Sequence, residues 1–147
     1  MKPIATLLLL ALVLSPASAS TFEKAEYFKN AAAGQKKGDK IQGSLIVEDY
    51  EIRFVGRKGE AEVNIPASAI RKVQYERAAK PRYAEGILIA WPLLFTKSKK
   101  HYLTVHYTDS SGASQYMLVR LHKSNFRMAL AEIEARTGST VERIEEK

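Results

Sequence analysis

Gly43-Ser44-Leu45-Ile46-Val47-Glu48-Asp49-Tyr50-Glu51-Ile52-Arg53-Phe54 decides how the rest of the chain is read. Leu45 and Val47 recur at the two-residue period of a strand, Asp49-Tyr50 interrupts it, and Ile52 and Phe54 resume it. That pattern predicts an antiparallel hairpin. Moving downstream, residues 56–59 carry glycine at both ends and make the next turn. Val63 and Ile65 mark a third strand stopped by Pro66, which cannot donate to a ladder, and residues 70–75 give a fourth. Later, Leu103, Val105 and Tyr107 alternate with Tyr102, Thr104 and His106. Asp109-Ser110-Ser111-Gly112 is a turn signal, and Met117, Val119 and Leu121 form the partner strand.

One helix follows, predicted over 124–137. Ser124 suits an N-cap. Phe126, Ala129, Leu130 and Ile133 fall on one helical face, and Gly138 stands where a left-handed glycine ends a helix. The charged tail beyond it reads as a fraying end. Upstream of the hairpin, residues 22–33 mix charge with Phe22, Tyr27 and Phe28 and close on Ala31-Ala32-Ala33-Gly34. They read as a short helix, with residues 35–40 as a polar linker. The expected organisation is a leader at 1–19, an N-terminal helix and linker at 20–40, a β-rich domain at 41–138 and a charged tail at 139–147.

The fold class is therefore mainly β with a C-terminal α-helix. This order resembles the pleckstrin-homology-like fold, including the related GRAM-type modules. The resemblance rests on Gly43-Ser44-Leu45-Ile46-Val47, Ile52-Arg53-Phe54, Ile65-Pro66-Ala67-Ser68-Ala69-Ile70-Arg71-Lys72-Val73, His101-Tyr102-Leu103-Thr104-Val105 and the helix at 124–137. It implies seven antiparallel strands in two near-orthogonal sheets, a barrel or orthogonal sandwich plugged by the helix. Phosphoinositide-binding members concentrate basic residues in the first hairpin turn. Here that turn is Glu48-Asp49-Tyr50-Glu51, which repels a phosphorylated headgroup. A superfold does not fix a function.

The start of the chain predicts export. Lys2 is followed by an apolar run over 4–14, then Pro16 and the small-x-small site Ala17-Ser18-Ala19. The run is shorter than the about 20 residues that span a bilayer. The expected mature protein begins at Ser20 and is periplasmic or secreted. It has no cysteine, which excludes a thiol nucleophile, a redox CxxC and a cysteine-ligated metal. His101 and His106 are five apart on one predicted strand and point to opposite faces; with His122 they read as surface or edge histidines. Ser110 and Ser111 lie in a turn without a nucleophile elbow, and Glu132 and Glu134 diverge on the helix. The expectation is a non-enzymatic binding module with no catalytic residues, cofactor or metal, and no nucleic-acid partner.

Charge is unevenly distributed. Residues 21–70 hold 8 basic and 8 acidic side chains and residues 107–147 hold 6 and 6, whereas residues 71–106 hold 8 and 2. A local excess of this kind attracts anionic surfaces. Inside the same window lies the most apolar stretch beyond the leader, Ala84-Glu85-Gly86-Ile87-Leu88-Ile89-Ala90-Trp91-Pro92-Leu93-Leu94-Phe95. It reads in two ways, as an irregular core element or as an exposed loop. As a loop it presents Ile87, Leu88, Ile89, Trp91, Leu93, Leu94 and Phe95, with Arg82, Lys97, Lys99 and Lys100 at its base. Apolar side chains, a tryptophan and flanking cations suit a bilayer interface. The partner so indicated is an anionic membrane surface. A protein partner and a small-molecule or lipid carrier, with 84–95 as its lid, are the alternatives.

Overall fold

A computed structural model describes residues 18–29, 39–59, 62–78 and 98–144. Residues 1–17 of the expected leader and the whole 84–95 segment lie outside them. The elements are β1 (Ser20–Lys29), β2 (Asp39–Glu48), β3 (Glu51–Gly56), β4 (Glu62–Pro66), β5 (Ile70–Ala78), β6 (Lys100–Thr108), β7 (Ser114–Leu121), α1 (Phe126–Thr137) and β8 (Val141–Ile144). The fold is mainly β, with a single α-helix among the described residues near the C-terminal end and a short 3-10 turn at Ala67–Ala69.

The hairpin forms where the alternation places it. Leu45 pairs with Phe54 and Val47 with Ile52 across a turn at Asp49-Tyr50. With Ile65 from β4, these side chains are fully buried. Gly43 is required beside them, because a Cβ there would run into the Val55 carbonyl oxygen and the Phe54 ring. Strands β5, β6 and β7 form a second meander, with Val73, Val105 and Met117 in register on its inner face. Ala129, Leu130 and Ile133 of α1 complete the core between the two meanders. At the far end of the helix, Tyr50 N–H donates to the Arg136 carbonyl at 3.2 Å, and Arg136 pairs with Asp49 at 3.3 Å and with Glu132. Gly138 ends the helix in the left-handed conformation, φ 71°, donating to the Glu134 carbonyl.

Several expectations are corrected. Residues 20–29, within the segment assigned to a helix and linker, form strand β1. A bulge between Phe22 and Ala25 shifts the register there and breaks the two-residue period by which a strand is recognised. The tail does not fray entirely: residues 141–144 pair in parallel with β5, Val141 opposite Val73 and Arg143 opposite Tyr75. The helix is capped at Asn125 and not Ser124, and Ser124 instead bonds the His122 ring. Nor does the sheet close into a barrel. Its order is β4-β3-β2-β1-β7-β6-β5-β8, with β4 and β8 at the edges. The edge of β5 that would have to meet β4 is taken by β8.

Among the described residues, the two meanders are paired strand to strand only where β1 meets β7, through Glu26 opposite Arg120 and Tyr27 opposite Val119. Glu26 is buried, and its carboxylate pairs with Arg120 at 2.5 Å and with Lys40 at 3.4 Å. Glu26→Gln leaves Arg120 facing a neutral amide inside this joint. The expected loss of unfolding free energy is about 1–3 kcal/mol, above the roughly 0–1 kcal/mol of an exposed ion pair. It stays below the about 3–5 kcal/mol of a fully buried pair, because the Arg120 side chain keeps 31% exposure. Urea denaturation measures it, and a change under about 0.5 kcal/mol, ordinary for a surface site, would show that the pair does not hold the joint.

Candidate functional site

Strand register gathers the chemistry at one end of the inner face. Arg77 of β5 lies opposite His101 of β6, and Tyr75 lies opposite both Leu103 and Arg143 of β8. The two-residue period puts Tyr75, Arg77 and His101 on the face that carries Val73 and Leu103 into the core. The start of α1 adds Phe126 and Arg127. Tyr75 Oη lies 2.7 Å from His101 Nδ1. The His101 ring stacks on Phe126 at 3.8 Å between centroids, and Tyr75 stacks on Phe126 at 5.6 Å. Arg127 covers Phe126 at 5.6 Å and Arg143 covers Tyr75 at 5.9 Å. Three rings thus form a half-buried floor with guanidinium groups over it, an arrangement favoured by the ring quadrupole.

The field at this floor has one sign. Burial pushes the His101 imidazole below its ordinary value, and Arg77, Arg127, His122 and Lys100 push it the same way. Burial raises the Tyr75 hydroxyl, partly offset by Arg77, Arg143 and Arg127. The helix begins with no side-chain cap and no acidic residue in its first turn, so its dipole adds positive character. Among the described residues, Arg77, Lys100, Arg127 and Arg143 form no ion pair, whereas Lys40, Arg53, Lys72, Arg120 and Arg136 each do. With His101 held below its ordinary value, the positive charge at this end is carried by the arginines and Lys100.

Of the eleven residues expected at the site, Arg82, Ile87, Leu88, Ile89, Trp91, Leu93, Leu94, Phe95 and Lys97 lie outside the described residues. Lys99 is exposed, and Lys100 opens β6 opposite Ala78, the last residue of β5. The described residues on either side of 79–97, Ala78 and Lys100, are therefore paired beside the Arg77–His101 pair. Tyr75, Phe126, Arg127 and Arg143 were not singled out from sequence as part of a site, and His101 is no mere surface histidine. His106 faces the opposite side of the sheet, as its spacing from His101 predicts, and bonds Gln74 at 3.0 Å. A separate open cleft of about 580 Å³, lined by Val63, Pro66, Ala69, Tyr107 and Asp109, lies between β4 and the β6–β7 turn. It contains none of the cations gathered at the floor.

No protein-family model matches the chain, and no curated protein matches it either.

Burial is the leading cause that lowers His106 as well, with Lys72 acting in the same direction. Both imidazoles therefore bind protons more weakly folded than unfolded. As pH falls through the ordinary 6.5, the unfolded chain takes up protons first. Stability is fully present above that pH and declines on acidification. In an NMR titration of the folded protein, the His101 and His106 ring signals should move below pH 6.5. Midpoints at or above it would contradict the described environment.

Proposed function

We propose that the chain is an exported, non-enzymatic binding module of pleckstrin-homology-like architecture that docks on an anionic membrane surface. The docking end carries the Tyr75–His101–Phe126 floor, its arginines, Lys100 at the strand end and the 84–100 segment. Support for the architecture comes from the connectivity: a four-stranded antiparallel meander, β1 to β4, then a three-stranded one, β5 to β7, then a helix packed into the core. The single observation that carries the functional reading is the gathering of Arg77, Arg127 and Arg143 with no carboxylate partner among the described residues, with Lys100 at the same end of the sheet. Cations held together against their mutual repulsion are complementary to a surface that supplies the missing negative charge. The apolar run over 84–95, in the sequence between β5 and β6, supplies side chains of the kind that enter a bilayer interface.

Each cation near an anionic bilayer contributes about 1 kcal/mol, about fivefold in affinity, and salt screens it. Sedimentation with vesicles containing phosphatidylglycerol should therefore capture the protein, and vesicles of phosphatidylcholine alone should capture much less. Arg127→Gln with Arg143→Gln should weaken capture by about 25-fold and flatten its salt dependence. Trp91→Ala should weaken it at every salt concentration, because apolar burial is insensitive to salt. Equal capture by both kinds of vesicle, or none by either, would exclude the membrane reading and leave a protein partner or a carried ligand.

A further inference from the structure

A second cation-lined place lies on the opposite face of the sheet, and the function proposed above makes no use of it. Register lays out its floor as one cross-strand row: Arg120 opposite Glu26, Glu26 opposite Gln42, and Arg57 N–H donating to the Gln42 carbonyl at 2.8 Å. Lys24 and His122 stand beside the row, and the six residues line a cleft of about 200 Å³. Drug-sized pockets run from about 300 to 1,000 Å³, so this cleft suits a smaller group.

Lys24 is the unusual member. Its φ is 59°, a left-handed conformation that a lysine rarely adopts. It lies in the β1 bulge, where two residues, Glu23 and Lys24, span the gap opposite Ser44. The bulge is fastened from outside: the Asn125 side-chain amide donates to the Glu23 carbonyl at 3.0 Å. Bulges of this kind re-aim a side chain, and strain held in place by surrounding structure clusters at functional positions. Lys24 is thereby set beside Arg57, which comes from the β3–β4 turn, and neither forms an ion pair among the described residues. The one carboxylate in the cleft, Glu26, is already engaged by Arg120 and Lys40. Three cations, Lys24, Arg57 and Arg120, thus stand against one carboxylate in a space too small for a large ligand.

We infer that this cleft is a seat for a phosphate-type oxyanion. Lys24 and Arg57 supply the compensating charge, and Arg120, fixed by Glu26, adds its remaining donors. A tetrahedral oxyanion offers oxygens in several directions and so meets donors arriving from separate strands; a planar carboxylate matches a single fork. Free inorganic phosphate and a phosphate monoester on a lipid share this chemistry.

Isothermal titration of the full protein with inorganic phosphate, against chloride at matched ionic strength, tests the seat. Saturable one-site binding specific to phosphate is expected. Arg57→Gln, a change at an exposed turn, should weaken it about tenfold or more, the worth of a charge-assisted hydrogen bond. Lys24→Gly removes the charge while easing the backbone, so it should weaken phosphate binding and raise the melting temperature together. Arg127→Gln with Arg143→Gln should leave phosphate binding unchanged, which separates this seat from the membrane-docking end. Capture on phosphatidic-acid vesicles that phosphate competes away would place the group on a lipid. Phosphate binding without such capture would make the ligand soluble, and either result upholds the seat. Binding equal in chloride, or unaltered by both Arg57→Gln and Lys24→Gly, would mean an adventitious ion only and overturn the proposal.

Discussion

The ion pair between Glu26 and Arg120 sits where, among the described residues, the two meanders are paired strand to strand. A two-residue ladder is a narrow joint for a sheet of eight strands. Its geometry is supported from both faces. On the inner side α1 packs Leu130 and Ile133 into the core formed by both meanders. On the outer side a buried carboxylate is held by cations from strands on either side of β1, Arg120 of β7 and Lys40 of β2. A buried pair of this kind costs desolvation and returns little net stability against an apolar replacement. What it gives here is register: Glu26 meets Arg120 at a single offset of β1 against β7.

That offset decides what appears at both faces. On the inner face it sets β6 and β5 so that His101 and Tyr75 come under the first turn of α1, where Phe126 closes over them. On the outer face it aligns Arg120, Glu26 and Gln42 in a row ending near Arg57. The cations at the two places differ in how they are held. Arg127 and Arg143 rest on aromatic rings, which leaves their charge available to a large surface. Lys24 is held by backbone strain in a small cleft, which favours a compact ligand.

Much of the fold was legible in the sequence. Alternation gave β2 to β4 and the β6–β7 hairpin with their turns, and the 3, 4 and 7 spacing gave the buried stripe of α1. Strand β1 was not legible because the bulge at Lys24 splits its alternation, placing Phe22, Ala25 and Tyr27 on one face at uneven intervals. Strand β8 was hidden for another reason. Four residues, Val141 to Ile144, carry no periodicity of their own, and only docking on β5 makes them a strand. The same docking explains why an expected barrel is an open sheet. At the candidate site, the basic window of 71–106 contained Arg77 and Lys100. Its aromatic floor depends on cross-strand register and helix placement, and Arg143 belongs to a tail that looked unstructured. Distances of this kind are tertiary facts that a one-dimensional pattern does not carry.

The account stands on one end of the inner face being the surface that meets anionic lipid. Amide chemical shifts of the isotope-labelled protein, followed while adding bicelles with and without an anionic lipid, test this residue by residue. The largest changes should fall at 75–78, 99–101, 126–127 and 143, and only with the anionic lipid. Changes centred instead on the Asp49-Tyr50 turn or on the β4 edge, or identical changes with both lipids, would contradict it.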